Sequence, residues 1–203
     1  MNAATDITMN CPLPIISDRD SQGNAVDLDE PAIYVASLSD YNGGILHGCW
    51  ISCCYGVDHV WSEVQHMLAA SPYAKKYGDK AEEWAIHDYS GFGGIDISEW
   101  ASFDHVCELA EALEEHGENF AAYYGYSPSD DIAACVANFE DAFCGVYDSE
   151  LDYAYELADE MIPHDAPDFL TRYFDYEAFA RDLFIDGYTS MRVSNGYAIF
   201  RDY

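Results

Sequence analysis

The sequence predicts an α+β fold: an N-terminal antiparallel sheet with a helix, a central acidic helical region, and C-terminal helices plus a β-hairpin. Three observations lead there. Two β-rich runs flank an Asn-Gly turn between Ala32 and Cys54, apolar residues recur at helical spacing behind capping serines from Ser102 to Leu157, and a strand pattern folds around Asn195-Gly196. The 203 residues suffice for one domain, or for two or three small ones in contact. The pattern divides into a flexible extension (1–30), an N-terminal α+β domain (31–101), a central acidic helical domain (102–147) and a C-terminal α+β domain (148–203).

Residues 1–30 are polar, carry Pro12, Pro14, Gly23 and an Asp27, Asp29, Glu30 cluster, and lack sustained periodicity, which reads as a mobile extension. Ala32 to Leu38 (AIYVASL) is strand-like, Ser39 to Gly44 (SDYNGG) is a turn, and His47 to Cys54 returns as the second strand of a hairpin. Val57, Val60, Trp61, Val64 and Leu68 place an amphipathic helix over Asp58 to Ala70, ended by Ser71-Pro72. Lys75, Lys76 and Lys80 form the basic cluster that follows. Glu82 to Tyr89 alternates as a third strand, and Gly91 to Gly94 (GFGG) is a loop.

Ser102 is placed to cap a helix whose buried side is Phe103, Val106, Cys107, Ala110 and Leu113, with Gly117 where a C′ glycine belongs. Ser129 is expected to cap a second helix with Ile132, Cys135, Val136, Phe139 and Phe143 inward. Ser149, followed by Asp152, caps a third in which Leu151, Tyr155 and Leu157 pack. Pro163 and Pro167 break the pattern. Asp175 caps a fourth helix to Leu183, and Met191 to Phe200 is the closing hairpin.

Charge is the most informative property of the chain. Its 38 acids and 8 Lys or Arg give a formal −30, and Ala81 to Thr171 holds 23 acids without a single Lys or Arg. The flanks contribute −6 before it and −1 after it. Half the residues are apolar and aromatics are abundant, so this is the composition of a folded protein with a charged surface rather than of a disordered polyacid. Such a charge repels nucleic acid and anionic membranes, which points to a basic partner. Duplex DNA carries one charge per ~1.7 Å of axis, so the 30 charges match roughly 50 Å of duplex.

Placed on the expected helices, Asp104, Glu108, Glu111, Glu115 and Glu118 are spaced by four, three, four and three along one face, with Glu114 beside them. Asp130, Asp131, Glu140, Asp141, Asp148 and Glu150 follow around the second helix, and Asp152, Glu156, Asp159 and Glu160 stay outward on the third. These sixteen are the candidate partner-binding residues. Like charges at i,i+4 cost about 0.2–0.5 kcal/mol per pair, and exposed Lys would relieve them, so stability gives no reason to exclude bases. Adaptation to high salt predicts the same composition.

Other chemistry is weakly signalled. His47, Cys49 and Cys53 share a strand face, but the spacing is not C-x2-C and no second ligand pair follows; His59, Glu63 and His66 share a helix face that is metal-like in spacing but more often a polar surface. Nothing fits a D-x-D-x-D-G calcium loop, GFGG lacks the Lys-Ser/Thr of a phosphate cradle, and G-x-S-x-G is missing. No catalytic residue, cofactor or metal is expected. Seven cysteines, an odd number, with no secretory or membrane signal, read as free and mostly buried thiols in a reducing cytoplasm.

YVASLSDYNGG (Tyr34 to Gly44) followed by LHG, EEWAIHDYSGFGG (Glu82 to Gly94), FAAY (Phe120 to Tyr123) and YFDYEAFARDLF (Tyr173 to Phe184) together resemble the ArdA antirestriction proteins of plasmids, phages and conjugative transposons. The likeness runs collinearly from about Pro31 to Tyr203. It implies a DNA mimic: an elongated, curved homodimer of small domains in the cytoplasm of a bacterial host. The mimic would occupy the DNA-binding groove of type I restriction-modification enzymes, on the methyltransferase core, and block restriction, often modification too, without catalysis. No nucleic acid or membrane would be bound. The alternative is an acidic scaffold or chaperone-like protein for another basic DNA-binding partner. Two departures stand out: the extension before Pro31 has no counterpart in the family pattern, and Cys49 and the Cys53-Cys54 pair replace an expected basic residue and polar residues after the LHG block. The nearly balanced C-terminal part, with Arg172, Arg181, Arg192 and Arg201, is the expected subunit contact.

Overall fold

The computed structural model describes residues 18–163, 165–167 and 172–202. Two three-stranded antiparallel sheets stand toward the two ends of the chain, with helices between them, as an α+β reading expects. The first sheet has the order β2-β1-β3, from β1 (Ala32–Ser37), β2 (Gly48–Ser52) and β3 (Trp84–Ser90). Its register sets Ile33 opposite Ile51 and Val35 opposite Cys49 and Ile86. One face packs on α2 (Val57–Ala69) and α4 (Phe103–Tyr126), where Val60, Val64, Val106 and Leu109 are fully or almost fully buried.

The SDYNGG segment is not a simple turn. Ser37 caps a short helix, α1 (Leu38–Asn42), by accepting from Asp40 N, and the second strand begins only after it. Asp40 is the reason. Its carboxylate is fully buried and accepts from Ser37 Oγ (2.6 Å), Ser71 Oγ (2.6 Å) and Tyr73 N (2.8 Å), so it ties α1 to the start of α3 (Pro72–Tyr77). Burial alone would push this carboxyl up. The two serine hydroxyls, the Tyr73 amide and nearby His47 instead hold it below its ordinary value.

The expected mobile extension is, from Asp18 onward, a strap packed on the sheet; residues 1–17 lie outside the described residues. Val26 and Leu28 cover the second face of the sheet against Ala32, Tyr34, Ala36 and Trp50. Trp50 N donates to Arg19 O (3.1 Å), Ser90 Oγ to Leu28 O (2.7 Å), and Ser21 N to the buried Glu63 carboxylate (3.0 Å). The approach is close: a Cβ on Gly91, whose φ is +78°, would stand 2.2 Å from the Glu30 backbone. Two apolar side chains suffice for this packing because β1 is buried along its whole length and needs cover on both faces.

Ser102 caps α4 as expected, accepting from His105 N. Gly117 (φ +61°, ψ −147°) interrupts the helical path there, but the chain resumes helix to Tyr126 instead of ending. The next cap differs from expectation. Asp131 accepts from Ala134 N (2.9 Å) and starts α5 (Ile132–Ala142), while the Ser129 hydroxyl accepts from Asp131 N. Phe143, expected on the helix, instead opens a strand, β4 (Phe143–Tyr147), that pairs with β6 (Gly196–Arg201); the expected C-terminal hairpin of β5 (Tyr188–Val193) and β6 is thus part of a sheet ordered β4-β6-β5. Ser149 and Asp175 cap α6 (Glu150–Met161) and α7 (Tyr176–Asp186) as expected. Tyr155, expected to pack, is exposed.

One continuous buried cluster runs from Ile33 and Ile51 through α4 and α5 to Phe200. Phe139 is its aromatic hub, within 6.1 Å of the ring centres of His116, Phe120, Tyr123, Phe143 and Phe200.

Replacing Asp40 by Ala leaves two hydroxyls and an amide without their acceptor, and urea unfolding at neutral pH should read a loss of about 2–4 kcal/mol. Because the folded-state pKa is depressed, this contribution is complete above the unfolded carboxyl value of about 3.9 and is lost as pH falls through the lower folded value. The gap between protein and variant should therefore narrow below about pH 4. A gap of the same size at pH 3 and pH 7 would contradict this account.

Candidate functional site

Every one of the sixteen candidate acids is exposed. The elements explain why. On α4, Val106, Leu109, Ala110 and Leu113 take the core face, which leaves Asp104, Glu108, Glu111, Glu114 and Glu115 to solvent. On α5, Ile132, Cys135 and Phe139 point in while Glu140 and Asp141 point out; on α6, Tyr153, Ala154 and Ala158 do the same for Asp152, Glu156, Asp159 and Glu160. Asp130, Asp131, Asp148 and Glu150 sit at the helix starts. The fully buried carboxylates, Asp40 and Glu63, both lie before Ala81.

The acids are not neutralised. Among the described residues the ion pairs are His116 with Glu140, at 3.8 Å, and Arg181 with Asp182, at 3.5 Å, so no Lys or Arg is paired with any described acid between Ala81 and Thr171. The carboxylates of Asp104, Glu108, Glu111, Glu114, Glu115, Asp130, Asp141, Asp148, Asp159 and Glu160 have no hydrogen-bond partner among the described residues. Asp104, Glu108, Glu111 and Glu114 converge along one groove.

Five of the sixteen also hold structure together. Asp131 caps α5, and Asp152 accepts from Ser149 Oγ at the α6 cap. Glu150 accepts from Ser190 Oγ of β5, and Glu156 from the Tyr147 hydroxyl (3.3 Å). Glu118 accepts from both the amide (2.9 Å) and the hydroxyl of Ser194. Those two bonds hold the Glu118 carboxyl below its ordinary value and dock the β5–β6 turn on α4. The Gly117 kink breaks the helical phase, so Glu118 belongs to this clamp and not to a continuous stripe with Glu115.

The acidic surface extends beyond the sixteen. Asp29 and Glu30 of the strap, both exposed, line a groove with Glu114 and Glu118. Their cluster is visible in the sequence, but the assignment of the strap to a mobile extension removes it from any surface. The metal candidates disperse. His47 Nε2 bonds the Met67 carbonyl (2.7 Å), Cys49 and Cys53 are core residues, and Glu63 is buried beneath the strap while His59 packs edge-on to Tyr55. Among the described residues no group of three or more His, Cys, Asp or Glu is arranged to hold a metal ion, and no helix is long and apolar enough to cross a membrane.

A surface of this kind binds cations by charge. Its internal repulsion is measurable. Glu111→Gln removes like-charge neighbours three and four residues away, and should raise stability by about 0.2–0.5 kcal/mol per relieved pair in dilute buffer, an effect that fades in 1 M salt. Glu118→Gln should act oppositely, speeding amide exchange in the Ser194 turn.

A family model described as antirestriction protein (ArdA) matches residues 33–198, most of the chain. No curated protein matches it.

Proposed function

The chain belongs to the ArdA family of antirestriction proteins, and on that premise we propose that its exposed carboxylates stand in for the phosphates of B-form DNA. The family is one of inhibitors that act on restriction-modification enzymes. In the proposed reading this chain fills the DNA-binding groove of a type I enzyme, on its methyltransferase core, and competes with the substrate without catalysis, in the cytoplasm of a bacterial host.

One observation carries the reading: every described acid between Ala81 and Thr171 is exposed, and none is paired with Lys or Arg. Asp40 and Glu63, by contrast, are buried and multiply hydrogen-bonded. Unpaired acids on capped helices instead present charge-assisted acceptors to the lysines and arginines of a DNA-binding groove. Their combined field also steers approach, and docking releases the counterions held by both surfaces, so affinity falls as salt rises. Because exposed pairs contribute about 0.2–1 kcal/mol each, no single acid dominates.

A second copy of the chain is proposed at the C-terminal end. Met161, Tyr173 and Ile185 are 66%, 82% and 73% exposed there, three large apolar side chains that a subunit contact would cover, with Arg172, Arg181 and Arg192 close in sequence.

The test is competition between this protein and duplex DNA for a purified type I methyltransferase core, titrated with salt. The expected result is mutual exclusion with a steep salt dependence, a loss of about fivefold or less for any single acid-to-amide change, and roughly 100-fold for Asp104, Glu108, Glu111 and Glu115 changed together. Simultaneous binding of DNA and protein, or abolition of binding by one amide, would overturn the mimicry.

A further inference from the structure

We propose that the apolar cleft between the strap, the GFGG loop and the Gly117 kink is a socket for one arginine side chain of the basic partner. The inference rests on the reading above and adds a fixed anchor to it. The cleft holds about 270 Å³, and its walls are mainly apolar: Pro31, Cys54 and Leu113 supply side chains, while Gly91, Gly93 and Gly117 supply backbone alone. Asp29, Glu30, Glu114 and Glu118 stand around it, and no Lys or Arg lines it.

The rim is held in place from several sides. Leu28 O accepts from Ser90 Oγ (2.7 Å) and Pro31 O from Cys53 N (2.9 Å), so the chain is pinned to β3 just before Asp29 and to the end of β2 just after Glu30. Glu118 is fixed by the amide and hydroxyl of Ser194. The Asp29, Glu30 and Glu114 carboxylates have no hydrogen-bond or ion-pair partner among the described residues. Burial, with the Glu30 and Glu114 carboxylates near it, pushes the Cys54 thiol up, which sets both acids close to the same wall of the cleft.

An apolar cleft with an anionic rim and no cation of its own selects its occupant by charge and shape. The volume takes one long side chain rather than a segment of chain. Arginine fits better than lysine, because its guanidinium is weakly hydrated, leaves water at lower cost and spreads five donors over several carboxylates. Its aliphatic stem lies along Leu113 and Pro31 while the head stays at the rim. A DNA phosphate offers an arginine its charge alone, whereas the cleft also covers the stem. The mimic thereby gains at one position an interaction that its competitor lacks, of the kind that concentrates binding energy at an interface.

The experiment titrates the full chain in dilute buffer with N-acetyl-arginine amide and, in parallel, N-acetyl-lysine amide, and reads backbone amide shifts by NMR. The expected result is saturable shifts at Cys54, Gly91, Gly93 and Gly117, with the arginine probe bound about fivefold or more tightly than the lysine probe. Glu30→Gln together with Glu114→Gln should weaken the arginine probe about fivefold. Cys54→Phe fills the cleft without altering charge, and should remove the saturable shifts and lower affinity for the methyltransferase core about tenfold. The titration of the unaltered chain does not depend on any variant folding. Equal binding of the two probes, shifts spread evenly along the Asp104 to Glu115 face, or full affinity of a folded Cys54→Phe chain for the core would each overturn the socket. Simultaneous binding of DNA and protein to the core would overturn the mimicry instead, because the probe titration requires no enzyme.

Discussion

Carboxylates with no cations among them repel, and the rest of this structure is arranged to hold them in place regardless. No Lys or Arg pairs with a described acid along the base-free stretch, so apolar burial must oppose most of the repulsion. The Phe139 hub joins α4, α5, β4 and β6 into one aromatic contact network, and Phe103, stacked on Trp84 at 4.1 Å, joins α4 to the first sheet. The acids are thus carried on helices whose inner faces are anchored at both ends. Caps from Ser102, Asp131 and Ser149 satisfy the first amides of those helices, and the acids near them sit favourably at the positive ends of the helix dipoles.

Two kinds of acid follow from the same chemistry. Asp40 and Glu63 are buried, multiply hydrogen-bonded and local in effect: each closes a gap between segments far apart in sequence. The surface acids without hydrogen-bond partners act collectively, through the field they share. A carboxylate that organises a fold must exclude water, whereas one that meets a basic partner must keep it until docking. The two buried carboxylates lie before Ala81, and every described acid between Ala81 and Thr171 is exposed, with Glu118 and Glu150 the ones there that also join distant segments.

Much of this was legible in the residues. Helical spacing with Ser102, Ser149 and Asp175 caps located α4, α6 and α7, and Asn195-Gly196 located the hairpin, because each signal is local. The misses have physical causes. SDYNGG carries turn chemistry, but a buried carboxylate bonded from Ser71 and Tyr73, more than thirty residues on, makes it a helical turn. Phe143 continues the apolar spacing of α5, and only pairing with Phe200, far down the chain, turns it into strand. Residues 18–30 show no periodicity because a strap has none; the clue lay in β1, where AIYVAS offers no solvent face. For the site, outward placement of the acids was readable from helix phase, while the Glu118 clamp and the contribution of Asp29 and Glu30 required the tertiary fold.

The strap has one more consequence. By accepting from Trp50 N it occupies an outer edge of the first sheet, since β2 pairs only with β1 on its other side. An open edge strand is a template for a foreign chain, whatever the net charge of the molecule, because backbone pairing acts at contact distance. Charge opposes association at long range, and the thirteen residues from Asp18 to Glu30 cover the sheet edge at short range, two mechanisms that salt affects differently.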